Sequence, residues 1–397
     1  MADPLLNWRK EFPILRKKTY LISNSLGAMP RGVFDRLSEY AEVWSSKGVK
    51  AWADEWWDMP VRVGDIIAPL IGARKGEVSM HPNVTIMQAI ILSCFKPSGK
   101  RNKIVCEELN FPSVLYLYRK WAGQHHCKLH LVKSDDGIRV SLDKLLDAID
   151  ESTLLVPISH VLFKSAYMQD AKAIIRKAHN VGARVVLDAY QSVGIIPVNV
   201  MELEVDFLVG GVIKWLCGGP GGGFLYVRND LVRKLSPQIT GWFAHQHPFD
   251  FDPGEIVYRQ DAFRFLNGTP SIPALYAAME GPKIIAKIGV GQIRKKSLRQ
   301  GASLMKLADE AGYTVMSPRE PERRGGTVTI AVPHGYEVSQ ELIARDILVD
   351  FRKGAGIRIA PHFYNSDDEI RHAVGQIREI LETRSHLKRK KARRFVT

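Results

Sequence analysis

Two residues near the middle of the chain have types and positions that could do chemistry together. Asp188, in VVLDAYQSVG, closes an apolar run. Lys214, in VDFLVGGVIKWLCGG, stands among apolar residues and glycines 26 positions later. An acid at the end of an apolar strand of a parallel α/β sheet lies at the edge where ligands bind. Taken alone, such an acid serves equally well as a helix N-cap or a loop residue. A lysine just past the next strand reaches the same edge. Lysine is seldom fully buried, because an unpaired buried ammonium is costly. Partial desolvation lowers its basicity and makes it a nucleophilic amine. The pair suits Schiff-base chemistry. Pyridoxal 5'-phosphate (PLP) needs a lysine to hold its aldehyde and an acid to keep its pyridine nitrogen protonated, so that the ring can act as an electron sink.

The glycines beside the lysine, GGPGGG at 218–223, do not make a phosphate loop. The lysine precedes them, the wrong order for GxxxxGK[ST], and the strand–turn–helix context of GxGxxG is missing. They are expected to let the backbone pass close to a bulky cofactor.

The elements that must position this pair follow from the pattern. Short apolar runs at 103–108, 127–133, 153–159, 183–189 and 205–211 read as strands, and 168–182 between them as a helix stopped at NVG. Near-continuous apolar strands alternating with helices imply a mostly parallel sheet covered on both faces. After residue 280 the pattern changes to a long helical region at 281–312, strands at 325–333 and 356–364, and a helix at 367–383. The expected organisation is an N-terminal arm (1–20), a large α/β domain (21–270), a small α+β domain (271–385) and a basic tail (386–397).

With 397 residues, 45% hydrophobic and 25% charged, the composition is that of a globular protein with room for two domains. No apolar run is long enough to span a membrane. The N-terminus has charges throughout and no clean apolar segment before a small-residue cleavage site, so no secretory leader is expected. Cys94, Cys106, Cys127 and Cys217 form no CxxC pair; reduced thiols in a cytoplasmic protein are expected, with no metal site. Part of the net charge of +14 sits in KRKKARR at 388–394. Such a tail binds polyanions or is simply solvated. Without aromatic residues interleaved among the basic ones, a nucleic-acid partner is not expected.

Seven segments in order carry a resemblance: NSLGAMP (24–30), CFKPSGKRNKIVCEELNFPSVLY (94–116), LDAYQSVG (187–194), IKWLCGGPGG (213–222), GWFAH (241–245), NGTPSIPAL (267–275) and IRIAPHFYNSDDEI (357–370). Together they resemble the class V aminotransferase superfamily of fold-type-I PLP enzymes, and within it the kynureninases, over nearly the whole length. The resemblance implies the aspartate aminotransferase-like α/β fold, PLP as cofactor, an α-amino acid as substrate and a homodimer with shared sites. Lys214 would carry the cofactor and Asp188 would meet its pyridinium nitrogen. Phe111 would stack on the ring, Gln191 would lie near its hydroxyl, and Val84 and Thr85 would hold the phosphate at a helix start, where free N–H groups favour an anion. Trp242 and Thr269 would reach the neighbouring subunit's phosphate. Arg358 would clamp the substrate α-carboxylate, approached by Asn24 and Ser25; Arg suits this bidentate geometry better than Lys.

Four departures bear on the substrate. Kynureninases carry an acid where this chain has Val114, a tyrosine where it has Ile213, a histidine at the position of Val49 and an asparagine at that of Thr269. Polar groups of that kind discriminate substrates strongly. The same PLP chemistry also serves transamination, C–S β-elimination and epimerisation, and these stay open beside hydrolytic Cβ–Cγ cleavage. Desulfuration ranks low, because all four cysteines precede residue 218. A non-catalytic binding protein is the alternative of another class; the joint presence of Lys214, Asp188 and Arg358 argues against it. The tryptophans of AWADEWW (51–57) read either as a substrate wall or as an amphipathic segment packed into the core or an interface.

Overall fold

The computed structural model describes residues 3–388. Its centre is a seven-stranded sheet: β1 (Val78–His81), β2 (Lys103–Glu107), β3 (Lys128–Val132), β4 (Thr153–Ser159), β5 (Arg184–Asp188), β6 (Phe207–Gly211) and β7 (Gly223–Val227). The spatial order is β1-β7-β6-β5-β4-β2-β3. Only β7 runs against its neighbours; the other pairings are parallel. The strand positions expected from the sequence match β2 to β6 within two residues.

Successive side chains of these strands enter two separate cores, as the period of two requires. Ile104, Leu155, Val186 and Phe207 face one side, where α1 (Val84–Ser93) and α2 (Pro112–Gln124) pack with Met87, Ile91 and Tyr118. Val105, Val156, Val185 and Leu208 face the other, against Ile174, Ile175 and Ala178 of α3 (Ala171–Asn180). Asn83 caps α1 by accepting from the Ile86 N–H at 3.1 Å, which fixes where that helix begins. Gly182, at φ +74°, ends the α3 unit, in line with the NVG signal.

The second body is a four-stranded antiparallel sheet of β8 (Thr314–Val315), β9 (Val328–Ala331), β10 (Asp350–Arg352) and β11 (Gly356–Ile359), ordered β10-β11-β9-β8. It is covered by α4 (Val290–Glu310) and α5 (Asp367–Glu382), with Leu304, Ile330, Ile357, Ile359 and Ile377 in its core. Thr19–Tyr20 pair in parallel with Ile347–Leu348, and Leu21 joins this second core. The helical region after residue 280 is two helices, Glu280–Ile288 and α4, separated by Gly289 at φ +88°. Among the described residues no helix is long and apolar enough to cross a membrane. Most of the basic tail, residues 389–397, lies outside the described residues.

Candidate active site

The carboxyl ends of β2, β4, β5 and β6 converge on one edge of the large sheet. There a cavity of about 260 Å³ is lined by Asn24, Ser25, Val84, Phe111, Ser159, Val161, Phe163, Asp188, Tyr190, Gln191, Ile213, Lys214, Arg352 and Arg358. Nine of the eleven site residues expected from the sequence meet at this edge, eight of them lining this cavity and Thr85 a second one adjoining it.

Asp188 is the last residue of β5, and its Oδ1 accepts from the Tyr190 N–H at 2.9 Å. Burial pushes its carboxyl up to about 6, against the pull of that N–H and of Lys214. It therefore stays mostly ionised at neutral pH. Lys214 follows β6 in a turn. Its ammonium has no hydrogen bond or ion pair among the described residues; it lies 5.8 Å from the Phe111 ring centre and 5.5 Å from that of Tyr190. Burial lowers it to about 8, Asp188 opposing and Arg358 adding to the shift. An amine so desolvated and unpaired is expensive to keep as a bare ammonium.

The NSLG segment reaches this edge by a close backbone contact. The Gly27 N–H donates to the Ile213 carbonyl at 2.8 Å. A Cβ on Gly27 would lie 2.2 Å from the Lys214 carbonyl oxygen, so only glycine fits. This contact delivers Asn24 and Ser25 to the cavity. The Gln191 amide donates to the Asn24 carbonyl at 2.9 Å and accepts from the Trp215 indole at 3.2 Å. Arg358, on β11, donates from Nε to Asp350 Oδ1 at 2.7 Å, from Nη2 to Asp350 Oδ2, and from Nη1 to the Phe163 carbonyl at 2.5 Å. With its amide oxygen turned toward Arg358, Asn24 accepts from Nε at 3.1 Å and from Nη1 at 3.3 Å.

The second cavity, of about 440 Å³, shares Val84, Phe111, Tyr190 and Ile213 with the first and adds Thr85, Gly221 and Gly222. It opens at the N-terminus of α1, whose first N–H groups have no intrahelical acceptor. Trp242 and Thr269 line neither cavity. Trp242 is packed edge-on against Trp57 and Phe243, and Thr269 is exposed.

The glycines beside Lys214 divide into two groups. Gly221 and Gly222 do line the second cavity. Gly218 and Gly222 also make room for Val212, to whose side chain an added Cβ would come within 2.7 Å. The tryptophans of 51–57 line neither cavity. Trp56 is buried beside Tyr40, and Trp57 stacks on Phe243 at 4.0 Å, which is the packing reading. Cys217 is buried, a small core residue at φ +53°. Val114 is buried in α2. Val49 is 83% exposed and lines neither cavity.

The sequence reading passed over Ser159, Phe163, Tyr190, Arg352 and the buried acids Glu107 and Asp350. Glu107 ends β2 with no exposure; its Oε1 accepts from the Ser159 N–H at 2.8 Å. Tyr190 sits two residues from Asp188 in a run already marked, and Arg352 and Asp350 share one edge strand with β11 as neighbour. These signals were present in the sequence, but only the pairing of strands gives them meaning. Among the described residues no cluster of His, Cys, Asp and Glu could hold a metal ion.

These residues fit PLP: an unpaired lysine amine, an acid beside it, an aromatic ring 39% exposed at the cavity mouth, and a helix N-terminus next door. Residues 19–363 match the aminotransferase class-V family model. The chain belongs to the aminotransferase class-V family. It is a PLP-dependent enzyme of that class. It is 32% identical to a kynureninase of Burkholderia pseudomallei, over 96% of this chain and 93% of that protein. To a kynureninase of Pseudomonas fluorescens it is 31% identical, over 96% of this chain and 94% of that one. The fold is similar to an apo cysteine desulfurase from Thermococcus onnurineus NA1, with a TM-score of 0.85 and 24% identity, covering 96% of this chain and 99% of that one. It is equally similar, at TM-score 0.85 and 18% identity, to a C-DES mutant with glycine covalently linked to its PLP, covering 94% and 99%.

Proposed function

We propose that this class V enzyme acts on an α-amino acid by kynureninase-type chemistry, hydrolytic Cβ–Cγ cleavage that releases alanine, on a substrate with recognition different from that of kynurenine. The observation that carries the reading is the meeting of Lys214, Asp188 and Arg358 around one cavity. Its kynureninase relatives support the reaction type. The polar groups lost at Val114 and Ile213, and the different polar side chain at Thr269, support a changed substrate.

Bound at this edge, PLP supplies a sink for charge that develops at the substrate Cα. The chain's own residues do the rest. Lys214 holds the cofactor and then moves the proton at Cα. Asp188 keeps a proton on the pyridine nitrogen. Phe111 covers the ring. Val84 and Thr85 offer N–H groups to the phosphate. Arg358, held rigid by Asp350, binds the α-carboxylate with Asn24 and Ser25 beside it, and Gln191 ties Asn24 to the sheet edge. Val161, Phe163 and Ile213 give the cavity an apolar wall that keeps bulk solvent off the charge developing at Cα, while one water must still reach the carbonyl carbon Cγ, where it is consumed to give the carboxylic acid product.

Purified protein mixed with PLP and a panel of amino acids, kynurenine included, tests this. Alanine appearing with a second carbonyl-derived product is the expected result. Keto-acid formation, racemised substrate or sulfide release would each replace the reaction assignment.

The proposed assembly is a homodimer. Phe249 and Phe251 are 60% and 73% exposed beside Trp242, and Thr269 is exposed two residues after Asn267, whose carbonyl accepts from the Phe243 N–H. A second copy covering it would bring Trp242 and Thr269 to the partner's phosphate. Sedimentation in the presence of PLP should show a dimer; a monomer would remove these two residues from the site.

A further inference from the structure

We propose that the hydroxyl of Tyr190 is a positioning group for the cofactor phosphate, in the place left by the apolar Ile213. The proposal rests on the PLP reading of this site. Tyr190 and Ile213 follow adjacent strands, β5 and β6, and both look onto the same two cavities. Lys214 lines only the first. The Tyr190 ring is seated by glycines: a Cβ on Gly211 would come within 2.1 Å of the ring, and one on Gly223 within 3.1 Å of the hydroxyl. The backbone thus clears a slot that carries the phenol from the Asp188 loop toward the start of α1.

At that end the ring shares the second cavity with Val84 and Thr85, the first residues of α1. The hydroxyl has no acceptor for its own proton among the described residues. A polar hydrogen inside a protein is seldom left without a partner, and here the phenol lines the second cavity beside Thr85, whose N–H at the helix start has no intrahelical acceptor. An anion there completes both. Burial and the charge of Asp188 push the phenol well above its ordinary value, so it remains a donor at any working pH. A position at 213 could offer a hydroxyl to the same cavity, and isoleucine there offers none. Tyr190 is thus the phenol available to this part of the site.

The experiment compares apoprotein affinities for PLP and for pyridoxal, which lacks the phosphate, in wild type, Tyr190→Phe, and Tyr190→Phe combined with Ile213→Tyr. The Phe variant keeps the ring in its slot, and equal melting temperatures establish that packing is intact. Losing one hydrogen bond to a charged group predicts about a ten- to hundredfold weaker PLP affinity. Pyridoxal affinity should change little, and Ile213→Tyr should restore part of the loss. Unchanged PLP affinity in Tyr190→Phe overturns the proposal, and so does an equal loss for PLP and pyridoxal, which would place the contact on the ring. A wild type that binds neither compound would sink the cofactor reading and the proposal with it.

Discussion

Asp350 grips Arg358 by both edges of its carboxylate: Nε donates to Oδ1 at 2.7 Å and Nη2 to Oδ2. The two residues are register partners on the antiparallel strands β10 and β11, and neither is more than 2% exposed. The same carboxylate takes Arg352 Nη2 at 3.1 Å. Two guanidinium groups that line the cavity are therefore set in place by one buried acid from the small body.

Removing that acid leaves the buried Arg358 without its carboxylate. Breaking a buried ion pair from one side costs about 3–5 kcal/mol, so Asp350→Ala should lower the denaturation midpoint markedly. Asp350→Asn keeps the shape and some hydrogen bonding. It should fold, with KM for the amino acid raised about tenfold or more, because a carboxylate clamp depends on a fixed fork. Steady-state kinetics of the Asn variant, with denaturation curves for both, check this. A wild-type KM in Asp350→Asn would show that Arg358 needs no such support.

Lys214 should set the pH dependence of cofactor capture. The neutral amine attacks the aldehyde, and at pH 7 a group near pH 8 is about one-tenth neutral. The rate at which apoprotein takes up PLP, followed by visible absorbance, should rise with pH and level off above about 8, the value to which burial lowers the lysine. Lys214→Ala should show no covalent uptake at any pH, and its turnover should fall by roughly a thousandfold or more. A rate still climbing steeply beyond pH 9 would mean the lysine is not desolvated in the free protein.

The fold and the cofactor edge were legible because they depend on local patterns. The runs TLLVPIS and RVVLD are apolar on both faces, which only a covered parallel strand requires, and Asp188 and Lys214 each end such a unit. β7 was not legible. Its residues follow a glycine run, and nothing local says that GGFLYV turns back antiparallel to β6. The N-terminal pairing of Thr19–Tyr20 with Ile347–Leu348 links residues over 300 positions apart, beyond any periodicity. Asp350 and Arg352 were missed for a related reason. A charged pair on a short edge strand reads as solvated surface until β11 brings Arg358 opposite. Glu107 was hidden by its neighbour Glu108, since EE at a strand end suggests two exposed acids, yet Glu107 is fully buried.

Gly27 offers a test of how the N-terminal segment serves the site. A methyl group there would press on the Lys214 carbonyl at 2.2 Å and the Cys217 Cα at 2.8 Å, both backbone atoms that cannot swing aside. Gly27→Ala should cost about 1–3 kcal/mol of stability, as overpacking does. It should also displace Asn24 and Ser25 from Arg358 and so raise KM more than it lowers PLP affinity. An equal loss in both would mean the strain is absorbed by the Lys214 turn instead.

Glu107 should make the apoprotein less stable as pH rises. Burial pushes its carboxyl up to about 8 from the ordinary 4.5, the nearby charge of Asp188 adding and the Ser159 N–H opposing. The folded chain therefore holds this proton where the unfolded chain has released it. Its stabilising contribution is complete below about pH 4.5 and is lost as pH climbs through about 8, a change on the order of a few kcal/mol. Asp188, raised to about 6, adds a smaller loss over the lower part of the same window. The other titratable neighbour, Cys106, is itself raised well above its usual value by burial and stays neutral throughout. Glu107→Gln cannot ionise, and its amide oxygen can still accept from the Ser159 N–H. Urea unfolding of apoprotein between pH 5 and 9 should show wild-type stability falling relative to the Gln variant, with the gap opening mainly between pH 5 and 8. Parallel curves across that range would mean Glu107 is ionised in the folded protein, a second negative charge near Asp188.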